Sequence, residues 1–126
     1  MIDRNGRVYD TKPERQFRAF ATKFGLRVVQ NQTISIAADN QTYSFQCDFL
    51  TPNDSGWAVD YEIDGPTHES DINHKKDLWK DFIKARTGLK VIHVPAVLCN
   101  KEWWGYLSKE IDKALKDKCR SAYIIA

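Results

Sequence analysis

The chain has 126 residues, 42% hydrophobic and 12% aromatic, with six glycines and four prolines, a composition that sets a disordered chain aside in favour of one compact domain. Three widely spaced cysteines with no CxxC pair argue against a disulfide framework and a structural zinc site, and no apolar run approaches the ~20 residues of a membrane span. A net charge of +2 permits a nucleic-acid partner without demanding one, and with no hydrophobic leader at the N-terminus the expected location is cytoplasmic.

Thr11-Lys12-Pro13-Glu14 reads as a helix start, with Thr11 as N-cap, Pro13 in the first turn and Glu14 where a capping-box glutamate sits. Phe17, Phe20, Ala21 and Phe24 recur at helical spacing as a buried stripe, and Gly25 suits the C-terminal cap. Residues 26–30 and 33–37 read as strand material, and Asp39-Asn40-Gln41 as the turn into a strand over 43–50. Alternation on that strand puts Tyr43, Phe45, Cys47 and Phe49 on an apolar face and Gln46 and Asp48 on a polar one.

The short turn Pro52-Asn53-Asp54-Ser55-Gly56 makes 57–64 the antiparallel partner of 43–50. On this strand Trp57, Val59, Tyr61 and Ile63 share one face, and Asp60, Glu62 and Asp64 the other. Asp60, at the strand's start, is most simply a solvent-facing charge. Pairing brings Asp48 to Glu62 and Asp64, and carboxylates within ~4–6 Å raise one another's pKa by ~1–3 units unless a cation is present. The cluster points to a metal.

Gly65-Pro66 ends the strand, and a loop passes His68 to a helix from Ser70 or Asp71 whose buried face is Ile72, Leu78, Trp79, Phe82, Ile83 and Ala85, ended by Gly88. Between 75 and 90 the basic residues Lys75, Lys76, Lys80, Lys84, Arg86 and Lys90 outnumber Asp77 and Asp81, so either a solvated face or a phosphate-binding surface lies beside the acids. A short strand over 89–94 stops at Pro95, and a last helix over 101–118 buries Trp104, Leu107, Ile111, Ala114 and Leu115. The group Trp103, Trp104 and Tyr106 suits core packing better than base stacking. The strand after the long helix should lie parallel beside 57–64, giving an α/β domain with a mixed sheet flanked by helices.

An early helical Glu, a strand ending Asp-Phe, a strand reading E-x-D-G with a nearby His, then a helix with Asp and a short apolar strand together resemble the restriction-endonuclease-like (PD-(D/E)XK) superfamily. Within it, the likeness is to very-short-patch-repair endonucleases and to phage-type homing endonucleases with an EDxHD motif. It spans roughly 14–94 and implies a three-layer fold with a central mixed sheet, and a divalent-metal-dependent DNA endonuclease. It gives Glu14, Asp48, His68 and Asp77 the named motif places, with Glu62 and Asp64 on the strand between. The sequence departs from the superfamily at Glu62-Ile63-Asp64, where a lysine usually follows the second acid's neighbour. That lysine helps orient water.

Phosphodiester hydrolysis needs an attacking water, neutralised phosphoryl charge and a proton for the leaving oxygen. Hard carboxylates suit Mg²⁺ or Mn²⁺. The expected assignment is Asp48 and Asp64 as metal ligands, joined by Glu62, with His68 in proton transfer. Glu14, Glu62 and Asp77 act as ligands, water positioners or orienters of His68, and Lys75, Lys76 and Lys80 contact DNA. A homodimer suits double-strand cleavage, and a partner protein can supply targeting. The rivals are a nuclease-like DNA- or protein-binding module without cleavage, favoured by the missing lysine, and a carboxylate-pair glycosidase.

Overall fold

The computed structural model describes residues 11–65 and 71–126, with the side chains of all of these except 71–77. Helix α1 (Lys12–Phe24) leads into strands β1 (Val29–Ala38), β2 (Gln41–Asn53) and β3 (Gly56–Asp64). Helix α2 (Asp71–Ala85), strand β4 (Lys90–Pro95), two 3-10 turns (Ala96–Cys99 and Lys101–Trp103), helix α3 (Trp104–Lys116) and strand β5 (Ser121–Tyr123) complete it.

Local chemistry sets the ends of α1: the Thr11 hydroxyl accepts from the Glu14 amide at 3.3 Å, and Gly25 takes the left-handed conformation (φ 74°) that a side chain disfavours. The sheet runs β1-β2-β3-β4-β5, antiparallel across the first three strands and parallel from β3 to β5. The expected mixed α/β sheet flanked by helices is therefore present. The strand β5 was not legible, since three residues carry little propensity and are held by pairing to Val91, Ile92 and His93.

Helices α1 and α3 cover one face, where Phe17, Phe20, Leu107 and Ile111 pack with Phe49, Val59, Tyr61 and Ile92. Phe17 lies 4.9 Å from Phe49 and 5.4 Å from Tyr61 between ring centroids, contacts worth ~0.5–1.5 kcal/mol each beyond their burial. On the other face Ile83 of α2 packs with Ile34, Ile36, Phe45, Cys47 and Leu50.

Three packing expectations are corrected. Helix α2 turns Ile83 and Lys84 inward and leaves Leu78, Trp79 and Phe82 exposed, Phe82 to 63%, because the sheet beneath offers carboxylates as well as apolar side chains. Phe24 and Leu115 are also exposed, each at the last turn of its helix beyond the edge of the core. Cys47 and Phe49 do not share a face: Cys47 belongs to the core under α2 and Phe49 to the core under α1 and α3. The alternation breaks at Asp48. Across from it, between the pairs Gln30–Phe49 and Gln32–Cys47, Asn31 adopts φ 58°, so the two segments read separately form one strand with a local twist.

Candidate active site

The ladder between β2 and β3 ends at Phe49–Tyr61. Continuing its register places Asp48 opposite Glu62, but here side chains replace the backbone bonds: the Asp48 amide donates to Glu62 Oε2 at 3.0 Å, and the Ile63 amide donates to Asp48 Oδ2 at 2.8 Å. The strands separate, and two carboxylates reach into the gap from opposite sides. Glu14, buried on α1, lies near enough for its charge to act on Asp48; its Oε2 accepts from Gln30 Nε2 at 3.4 Å, and Gln30 in turn accepts from Arg18 at 2.7 Å. The N-cap of α1 thus fixes the helix whose first turn delivers Glu14.

Burial, the Glu62 charge, and beyond it Glu14 and Asp60, raise the Asp48 carboxyl to about 8, although the Ile63 amide opposes the shift.

The cation bonded to Glu62 is a lysine that in the sequence belongs only to a general basic face. Lys84, 2% exposed, reaches from α2 to donate to Asp60 Oδ2 at 2.6 Å and to Glu62 Oε1 at 3.1 Å. Burial opposes its charge, but Glu62 and Asp60 outweigh that and raise its pKa, so it stays an ammonium. Asp60 is correspondingly not a solvent-facing charge: it is fully buried, and burial with Glu62 raises it to about 7 against the pull of Lys84. The signal for Lys84 lies in Asp60 itself, since an acid on a strand covered by a helix requires a buried partner. Such a partner is a lysine facing it from that helix.

Asp64 enters a second cluster. His93 Nδ1 lies 2.9 Å from Asp64 Oδ2 and Nε2 lies 2.7 Å from Asp81 Oδ2, while the Ser121 hydroxyl donates to that Asp81 oxygen at 2.5 Å. Tyr123 stacks on the imidazole at 4.0 Å, nearly parallel. Burial disfavours charge on His93, but the bonds and charges of Asp64 and Asp81 prevail and raise it to about 10. Parallel pairing of Glu62 with His93 and of Asp64 with Pro95 sets this arrangement. A histidine inside the apolar run Lys90–Pro95 reads as core until its strand is paired.

The structure therefore brings Glu14, Asp48 and Glu62 together, with Asp60 and Lys84 beneath, and ties Asp64 to His93 and Asp81. His68 lies outside the described residues, as do the side chains of Asp77, Lys75 and Lys76. Lys80 is exposed and makes no ion pair among the described residues. Trp104 packs against the core and bonds the Cys99 carbonyl, whereas Trp103 and Tyr106 are exposed.

Two donor sets are chemically distinct. Cys47, Asp60 and Glu62 place ligand atoms within 4.8 Å of one another, but Lys84 already bonds both acids, and burial followed by Asp60 raises the Cys47 thiol, so a thiolate is disfavoured. Glu14, Asp48 and Glu62 offer oxygen donors alone, the ligand type that suits Mg²⁺ or Mn²⁺, with Asp48 Oδ2 bonded to the Ile63 amide and the Glu62 oxygens to the Asp48 amide and Lys84. No helix among the described residues is long and apolar enough to cross a membrane. No family model matches the chain, and neither a curated protein nor a solved structure matches it.

Proposed function

We propose that this protein is a divalent-metal-dependent endonuclease of the restriction-endonuclease-like fold that hydrolyses DNA phosphodiester bonds. The observation that carries the reading is the opened end of the β2–β3 hairpin, where Asp48 and Glu62 fill the gap between the strands, Glu14 joins them from α1 and Lys84 stands beneath. The choice of DNA rests on the resemblance in motif order. The lysine absent from the strand has a counterpart in Lys84, which reaches Glu62 from the neighbouring helix, and this weakens the case for a domain that has lost cleavage.

Glu14, Asp48 and Glu62 would hold the ion. When bound, Mg²⁺ supplies Lewis acidity to the phosphoryl group and the attacking water. The chain's own residues divide the remaining work. Asp48 and Glu62, each anchored by a backbone amide of the opposing strand, keep their carboxylates in fixed directions. Lys84 is held as an ammonium by two acids, so it is a fixed positive charge and donor and not a proton acceptor. Water attacks phosphorus, the bond to the leaving ester oxygen breaks, the water's proton leaves to a base and the leaving oxygen takes a proton. The resemblance in motif order assigns His68 that proton transfer and gives Asp77 the last place of the motif. Asp64, tied to His93, braces the end of β3.

The test is a supercoiled plasmid incubated with the purified protein in Mg²⁺ or Mn²⁺. Nicking that is lost in EDTA and reduced at least 100-fold in Asp48→Ala and Glu62→Gln supports the reading. Binding without nicking identifies a DNA-binding module instead, and activity that persists in EDTA points away from a metal.

A further inference from the structure

Beside the carboxylates, on the α2 side of the sheet, lies a cleft of about 410 Å³ lined by Tyr43, Phe45, Gln46, Trp79, Lys80 and, at its floor, Glu62 and Lys84, with Ser44 at the rim. Its volume sits at the small end of the ~300–1,000 Å³ of ligand sites. The walls are aromatic: Trp79 meets Tyr43 at 5.3 Å and Phe45 at 6.0 Å between centroids, both edge-on. Lys84 Nζ lies 5.6 Å over the Phe45 ring. Phe45 belongs to the core under α2, but Trp79 is 47% exposed and Tyr43 half-buried, so the cleft opens to solvent.

The polar groups narrow the occupant. The carboxylate oxygens of Glu62 are already engaged, one by the Asp48 amide and one by Lys84, and its charge is unfavourable to a second anion at the floor. A neutral, flat, aromatic group suits the walls. Lys80 at the margin is free of ion pairs among the described residues and can meet a flanking phosphate. A stacked, paired base in a duplex presents no free face to a concave site; an unstacked one does.

We propose that this cleft seats an unstacked nucleobase of the strand whose phosphate lies at Glu14, Asp48 and Glu62, held against Trp79 and Tyr43. The inference rests on the nuclease reading, because Glu62 and Lys84 are shared between cleft and carboxylate site. It assigns the domain a preference for DNA with unpaired bases, such as bulges, mismatches or single strands, and gives the outward apolar side of α2 a use at Trp79.

The experiment measures binding alone, by fluorescence anisotropy in EDTA, using a labelled duplex with one bulged thymidine, the same duplex with an abasic nucleotide in the bulge, and the fully paired duplex. The wild type should prefer the bulged thymidine over both others by about tenfold, the scale of one base stacked on one ring. Trp79→Ala should bind the three DNAs alike, and Trp79→Phe should keep most of the preference. A preference unchanged in Trp79→Ala, or no preference in the wild type, overturns the cleft assignment. Plasmid nicking in Mg²⁺ judges hydrolysis separately, and failure to bind any of the three DNAs overturns both.

Discussion

Asp48 is held where its charge is opposed by burial and by three neighbouring carboxylates, Glu62 foremost. Its pKa rises from an ordinary 3.8 to about 8, so between those values the folded protein binds a proton that the unfolded chain has released. The associated stability is complete below pH 3.8 and is lost as pH rises through about 8. Asp48→Asn should therefore gain stability over the wild type as pH climbs from 5 to 8, which urea denaturation at both pH values will measure. Lys84 is the converse case. Removing it leaves Asp60 and Glu62 buried without their cation, and Lys84→Met should cost about 3–5 kcal/mol in the same denaturation experiment. Adding Asp60→Asn should recover part of that loss, since the pair shares one interaction.

At the scale of elements, the hairpin and α2 make the site between them. Helix α1 and the β2–β3 hairpin were legible because their signals are local: Thr11 and Gly25 at the ends of α1, and a short turn rich in Asn, Asp, Ser and Gly between the strands. The orientation of α2 was not, because the helix carries apolar residues on two sides and its inward choice depends on Asp60 and Glu62, which lie on another strand. Truncation separates the two sides: Ile83→Ala should cost about 2–5 kcal/mol, while Phe82→Ser should stay within about 0.5 kcal/mol. The opposite order would place α2 in a different rotation. His93 escaped for a related reason, since its partners Asp64 and Asp81 come from β3 and α2. Its pKa is raised from 6.5 to about 10, so its contribution is complete below 6.5 and lost as pH rises through 10. The advantage of wild type over His93→Gln in thermal melting should shrink across that window.

Across the whole molecule, charge is distributed unevenly. The chain carries a net +2, yet Glu14, Asp60 and Glu62 all act on Asp48 at the opened hairpin, and the buried Lys84 pairs with Asp60 and Glu62. The buried pairing of Lys84 was not legible, because in the sequence Lys84 looks like one of several lysines on a solvated helix. In three dimensions Asp48 and Glu62 meet across the opened hairpin, and Asp64 bonds His93. A divalent ion binding only the folded protein raises its melting temperature by mass action, about 2.7 kcal/mol at a hundred times the dissociation constant. Because Asp48 must release its proton to act as a ligand, that rise is linked to pH. Thermal melting with and without millimolar Mg²⁺, at pH 6 and pH 8.5, tests the claim most directly. The account predicts a shift that is larger at pH 8.5 and absent from Asp48→Asn; a shift equal at both pH values and retained by that variant, or no shift in the wild type, would contradict it.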